Sequence, residues 1–171
     1  MLAFVRSAGD RLARVPRGVG ALLTVLWGAF VWWLSSGPPP DVPVAWRFAY
    51  VFNLAHAPLF GFLALFAALA LPREPEPEPG RPRWPILSLG ARALVMTAIL
   101  GYAAIDEWHQ ASTPERTSTW LDVVTDLVGA AAVLAVAAYV ARSDATPRGL
   151  WTRLAVGLAA CCAAAWLSTL A

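Results

Sequence analysis

Five long stretches of the chain are almost free of charged residues: about Val19 to Leu34, Trp46 to Leu71, Leu89 to Ile105, Trp120 to Ala141 and Leu150 to Leu170. A helix needs roughly 20 mostly apolar residues to cross the hydrocarbon core of a bilayer. The pattern therefore predicts an all-α fold, a polytopic transmembrane bundle of about five spans. The first stretch stops at Ser35-Ser36-Gly37-Pro38-Pro39-Pro40, where proline cannot donate a helical hydrogen bond and clashes with the preceding turn. It follows an arginine-bearing start, as a signal peptide would. No small-x-small cleavage site lies close behind its apolar core, and more spans follow, so it reads as an uncleaved helix. The chain divides into a basic N-terminus at 1–18, a membrane domain at 19–141 with a Pro/Glu-rich loop at 72–85, and a short loop plus a fifth, alanine-rich span at 142–171.

Composition points the same way. Of 171 residues, 58% are hydrophobic and 14% charged, against about 45–50% apolar and about 25% charged in soluble domains. An ordinary soluble enzyme, a disordered chain and a disulfide-stapled secreted domain are excluded. The net charge of +2, with no continuous basic stripe, excludes nucleic acid as a partner. All 13 basic residues are arginine, and their placement orients the spans. Arg6, Arg11, Arg14 and Arg17, then Arg73, Arg81, Arg83 and Arg92, then Arg142, Arg148 and Arg153 fall on one side; only Arg47 and Arg116 fall on the other. The positive-inside rule predicts a cytoplasmic N-terminus and an extracytoplasmic C-terminus in the cell membrane. Trp32, Trp33, Trp46, Trp108 and Trp120 gather at the expected outer ends, as an aromatic belt does. The prolines of 72–85, interleaved with Glu74, Glu76 and Glu78, predict a semi-rigid polyproline spacer. Adjacent Cys161 and Cys162 point about 100° apart on a helix and read as small packing residues.

The residues that change this picture are polar ones in or beside the spans, where a charge at the helix centre costs about 2.5–3.5 kcal/mol. Asn53 and His56 lie one turn apart within the second span; Asp106, Glu107, His109 and Gln110 close the third; Asp122 and Asp126 are four apart on the fourth, hence on one face. Arg116, Thr117 and Ser118 occupy the turn between the last two spans, which must be antiparallel neighbours because that turn is short. Each has a bland reading. Asp106 and Glu107 serve as solvated helix-end groups, Asp122 as a group favoured by the helix dipole, His56 as a hydrogen-bonded core histidine, and Arg116 as a clamp on its own turn. Their concentration on one side favours a site.

The run Asp106-Glu107-Trp108-His109-Gln110, then Pro114-Glu115-Arg116-Thr117-Ser118, then Asp122 and Gly129, resembles the signature of the VanZ-like family. That signature is a DE-x-x-Q run at a helix end, a P-x-R turn, and an aspartate, an amide and a glycine on the next helix. His56, Phe60 and Leu63 resemble the family's H-x-x-x-(F/Y)-x-x-L element. The resemblance covers roughly residues 20 to 141 and implies a bacterial four-helix membrane unit, here with a fifth helix appended, in a family named for a glycopeptide-resistance protein linked to teicoplanin. It implies a fold and a location rather than a reaction. Asp126 stands where the family usually has asparagine, and Asn53 where many members have lysine. Both departures make the site more negative and favour a divalent cation held by Asp106, Glu107, Asp122 and Asp126, or a protonated carboxylate.

Three readings follow. In the first, the protein binds or modifies a lipid-linked cell-wall intermediate or another envelope lipid or glycan at the outer leaflet. His56 and Glu107 then form an acid–base pair, and Asp106, Gln110, Arg116, Ser118, Asp122 and Asp126 bind ligand, Arg116 taking an anionic headgroup. In the second, the carboxylates and histidine form a relay in a proton-coupled transporter. In the third, the cluster only locks helices together. Gly157, Cys161 and Ala165, four apart on the fifth span, offer a close-packing face for an oligomer. No nucleophile elbow, phosphate loop or metalloprotease helix is present, so the sequence leaves enzyme and binder equally open.

Overall fold

A computed structural model describes residues 1–38, 45–75, 83–113, 116 and 119–170. Six helices follow one another: α1 (Leu2–Leu12), α2 (Arg17–Ser35), α3 (Trp46–Ala70), α4 (Leu89–Ala111), α5 (Trp120–Val140) and α6 (Pro147–Thr169). The last five are long and apolar enough to cross a membrane, so the predicted spans stand. The segment 1–18, expected as a basic tail, instead holds the amphipathic helix α1. The third span also runs six residues beyond Ile105, which puts Asp106, Glu107 and Gln110 on a helical face rather than past its end.

Local chemistry explains several boundaries. Ser88, Thr119 and Thr146 cap α4, α5 and α6 by accepting from the backbone N–H groups of Ala91, Leu121 and Gly149 at 3.2, 3.3 and 3.1 Å, satisfying donors that no helical carbonyl can reach. Pro147 opens α6, where its missing N–H is no loss. Pro58 lies within α3, as membrane helices tolerate when neighbours pack around the freed carbonyl.

Helix α3 is the hub, touching α2, α4, α5 and α6, and its pairing with α5 is the most extensive. That pair approaches closely because both helices present small residues. A Cβ on Gly129 would overlap the backbone of Ala57, and one on Gly61 would stand 2.9 Å from a Val133 methyl. Small residues let membrane helices gain dispersion contacts where no hydrophobic drive separates protein from lipid. Phe60, Leu63, Ala64, Val95, Ile99, Ala103, Ala130 and Leu134 fill the core around this crossing. The expected oligomer stripe on α6 is used within the chain: Gly157 faces Ala132 of α5 at a distance a Cβ would close to 2.9 Å, and Cys161 and Ala165 are buried.

One end of the bundle gathers most of the arginines. Arg17 Nε donates to the carbonyl of Ala70 at 3.1 Å, and Arg73 donates to those of Val15 and Leu69 at 2.7 and 2.9 Å. Arg6 on α1 reaches the carbonyl of Arg142 at 2.8 Å, and Asp10 accepts from Trp84 Nε1 at 3.1 Å. The residues flanking the Pro/Glu segment pair: Glu74 N–H donates to Trp84 at 2.9 Å and Ile86 N–H to Pro72 at 2.8 Å. The core of the expected spacer, 76–82, lies outside the described residues.

Candidate functional site

At the other end, the polar residues of α4 and α5 turn inward. Asp106, Glu107 and Gln110 share a face of α4 and are 2–4% exposed, whereas Ile105 and Trp108 between and beside them are 53% and 77% exposed. On α5, Asp122 and Asp126 are buried one turn apart, with Thr125 between them completely enclosed. This arrangement follows from the helical period: residues four apart, Asp106 and Gln110 on α4 and Asp122 and Asp126 on α5, lie on the same inward side of their helix.

The three aspartates find different partners. Ser35 Oγ, on the last residue of α2, donates to Asp106 Oδ1 at 2.6 Å, and Gln110 Nε2 donates to Asp106 Oδ2 at 2.9 Å. Asp126 Oδ1 meets His56 Nδ1 at 3.0 Å. Asp122 accepts from Ser168 on α6. These are the expected partners of buried polar groups, which cost about 1–3 kcal/mol each when left unsatisfied. The groups also act on one another through space. Asp122 and Glu107 lie within electrostatic range of His56, and Asp106 and Asp122 within range of Asp126, in an environment where charge is poorly screened. The site thus brings four carboxylates and one imidazole together from α3, α4 and α5.

Several expectations change in detail. His56 Nδ1 pairs with Asp126 Oδ1, and Glu107, expected as the acid–base mate of His56, is buried in the same cluster. The four carboxylates do not converge on a cation: among the described residues, no three His, Cys, Asp or Glu side chains are placed to hold a metal ion. Asp106, Asp122 and Asp126 are turned instead toward hydroxyl, amide or imidazole partners. Arg116 ties down the end of α2, donating to the carbonyls of Gly37 at 2.9 Å and Leu34 at 2.5 Å and to Gln110 Oε1 at 3.4 Å. Among the described residues, this clamp engages three of the five N–H groups of the guanidinium. Ser118 lies outside the described residues, as do Pro114, Glu115 and Thr117. His109 stacks on Trp32, ring centroids 3.9 Å apart.

Two contributors were invisible in the sequence. Ser35 reads there only as part of a helix breaker, and Ser168 as one hydroxyl in an alanine-rich span. Nothing short of the tertiary fold pairs Ser35 with Asp106 across 71 positions or Ser168 with Asp122 across 46. Asn53, noted beside His56, extends this second contact by donating to Thr169 Oγ1 at 3.1 Å. Helix α6 is therefore a wall of the site rather than an appendage.

The VanZ/LLP1 family model matches residues 14–141, a range that contains His56 and every carboxylate of the pocket but not α1 or α6. No curated protein and no solved structure matches the chain.

Proposed function

The chain belongs to the VanZ/LLP1 family, and from that premise we propose that it is a multi-pass membrane protein that binds or modifies a cell-envelope lipid or glycan intermediate in this acidic pocket. The observation that carries the reading is the buried His56–Asp126 contact at 3.0 Å, surrounded by Asp106, Glu107 and Asp122. Such a pair can hold a proton and pass it to or from a ligand, which is the work of a general acid–base couple. The surrounding carboxylates favour the hydroxyl and amine donors of a sugar or amino sugar and repel phosphate. Any phosphate of a lipid-linked ligand then belongs at the rim, near the Arg116 guanidinium. The arginine-rich end faces the cytoplasm by the positive-inside rule, which opens the pocket to the outer leaflet, where glycopeptides of the teicoplanin type also act.

Lipids that co-purify with the full chain in mild detergent test this. Native mass spectrometry of wild type is expected to show a lipid-linked envelope intermediate. Its retention should fall at least tenfold, equivalent to about 1.4 kcal/mol, in Glu107→Gln and in Asp126→Asn, both of which preserve side-chain shape. Thermal unfolding of the same samples confirms that the bundle is intact. Equal retention in all three proteins overturns the reading, as does a wild type that retains no envelope intermediate.

A further inference from the structure

An apolar cavity of about 810 Å³ runs between α3, α5 and α6, and His56, Asp106, Glu107, Asp122 and Asp126 are not among its lining residues. Along α5 it extends from Gly129 to Val140, about 16 Å at 1.5 Å per residue, which is the depth of one leaflet of a hydrocarbon core about 30 Å thick. The space exists because its walls carry small side chains, among them Ala55, Ala132, Ala137 and Gly157. Among the described residues, its only charged lining residue is Arg153, at the arginine-rich end. That guanidinium is held in place by the ring of Tyr139, 3.7 Å from its centroid, and by a 3.0 Å bond to the carbonyl of Gly149.

The same end is roofed by α1. Gly9 lies so close against Trp84 that a Cβ there would overlap the indole, and both residues line the cavity. An amphipathic helix with arginines on its polar face and a tryptophan beneath it is the construction that sits at headgroup depth. The cavity thus has a hydrocarbon-like interior one leaflet long and a cationic mouth at the interface.

We propose that this groove holds one acyl chain of an anionic membrane phospholipid, with the headgroup at Arg153 under α1. The apolar walls take the chain, and the charge at the mouth selects the headgroup. This site is independent of the acidic pocket and of what that pocket binds.

Native mass spectrometry of the full chain, delipidated in detergent and titrated with phosphatidylglycerol or with phosphatidylcholine of the same acyl chains, tests it. Wild type is expected to form a one-to-one phosphatidylglycerol complex at least fivefold more readily than the phosphatidylcholine one. Ala137→Phe and Ala55→Leu fill the groove at opposite ends, and each should reduce the phosphatidylglycerol complex at least fivefold, while Arg153→Gln should make the two lipids equal. Two filling variants guard against one that fails to fold, with circular dichroism and a monodisperse elution as the check. A phosphatidylglycerol complex unchanged in both folded filling variants means annular lipid only and overturns the proposal. Equal binding of the two lipids by wild type overturns the headgroup assignment.

Discussion

The two ends of the bundle handle charge in opposite ways. At the arginine-rich end, guanidinium groups reach carbonyls of neighbouring segments: Arg17 that of Ala70, Arg73 those of Val15 and Leu69, Arg6 that of Arg142. The last carbonyls of a helix have no intrahelical donor and carry the negative end of its dipole, so a cation there stabilises. At the acidic end, side chains bond to side chains across helices, and the dipole does not always help. Asp122 sits in the first turn of α5, where a negative charge is favoured. Asp106 and Glu107 sit near the C-terminus of α4, where it is disfavoured. One end is arranged as stability alone would arrange it; the other holds carboxylates where stability gains least from them. That contrast supports the proposed role of the acidic end.

The largest way to break the contrast is to remove the frame the two ends share. Gly129→Leu forces a side chain into the backbone of Ala57 and should destabilise the protein by 3 kcal/mol or more, above the usual about 1–3 kcal/mol of overpacking. Both ends should fail together in thermal unfolding in detergent. Arg73→Ala comes next, removing two bonds from a charged donor, each contributing about 1.5–3 kcal/mol at most. The melting temperature should fall while retention of the pocket ligand stays at the wild-type level; a parallel loss of ligand would erase the division between the ends. Ser168→Ala removes the α6 contact to Asp122, worth about 0.6–2 kcal/mol by the range for polar contacts between membrane helices. Its melting shift should be small and its ligand retention reduced, whereas no change in either would demote α6 to a passive wall.

The smallest effect concerns pH. Arg142 donates two hydrogen bonds to Asp144, at 2.8 and 2.6 Å, in the exposed loop before α6. These bonds hold the Asp144 carboxyl below its ordinary value. A carboxyl lowered on folding adds stability above its unfolded value and loses it as the pH falls through the folded one. Asp144→Asn should therefore flatten the melting profile only at the acidic extreme, and by little, because the pair is solvated. A large effect near neutral pH would show that the loop does more than connect two helices.

The five spans were legible in the sequence because crossing a bilayer demands length and apolarity, which no tertiary contact can supply or cancel. The same reasoning made the inward group of His56, Asp106, Glu107, Asp122 and Asp126 visible, since ionisable residues are rare in such runs and those four apart share a face. Helix α1 was not legible. At 11 residues it is too short to be stable by itself, and it depends on Trp84 and the carbonyl of Arg142 to hold it.

What only the tertiary structure decided is who pairs with whom. His56 takes Asp126, Asp106 takes Ser35, and Asp122 takes Ser168, because helix rotation and crossing bring these atoms within about 3 Å. Sequence determines which residues are too polar for the membrane and on which face they lie. Their partners depend on angles set by packing at Ala57, Gly61 and Gly129, where whole helices meet and no local pattern records the outcome.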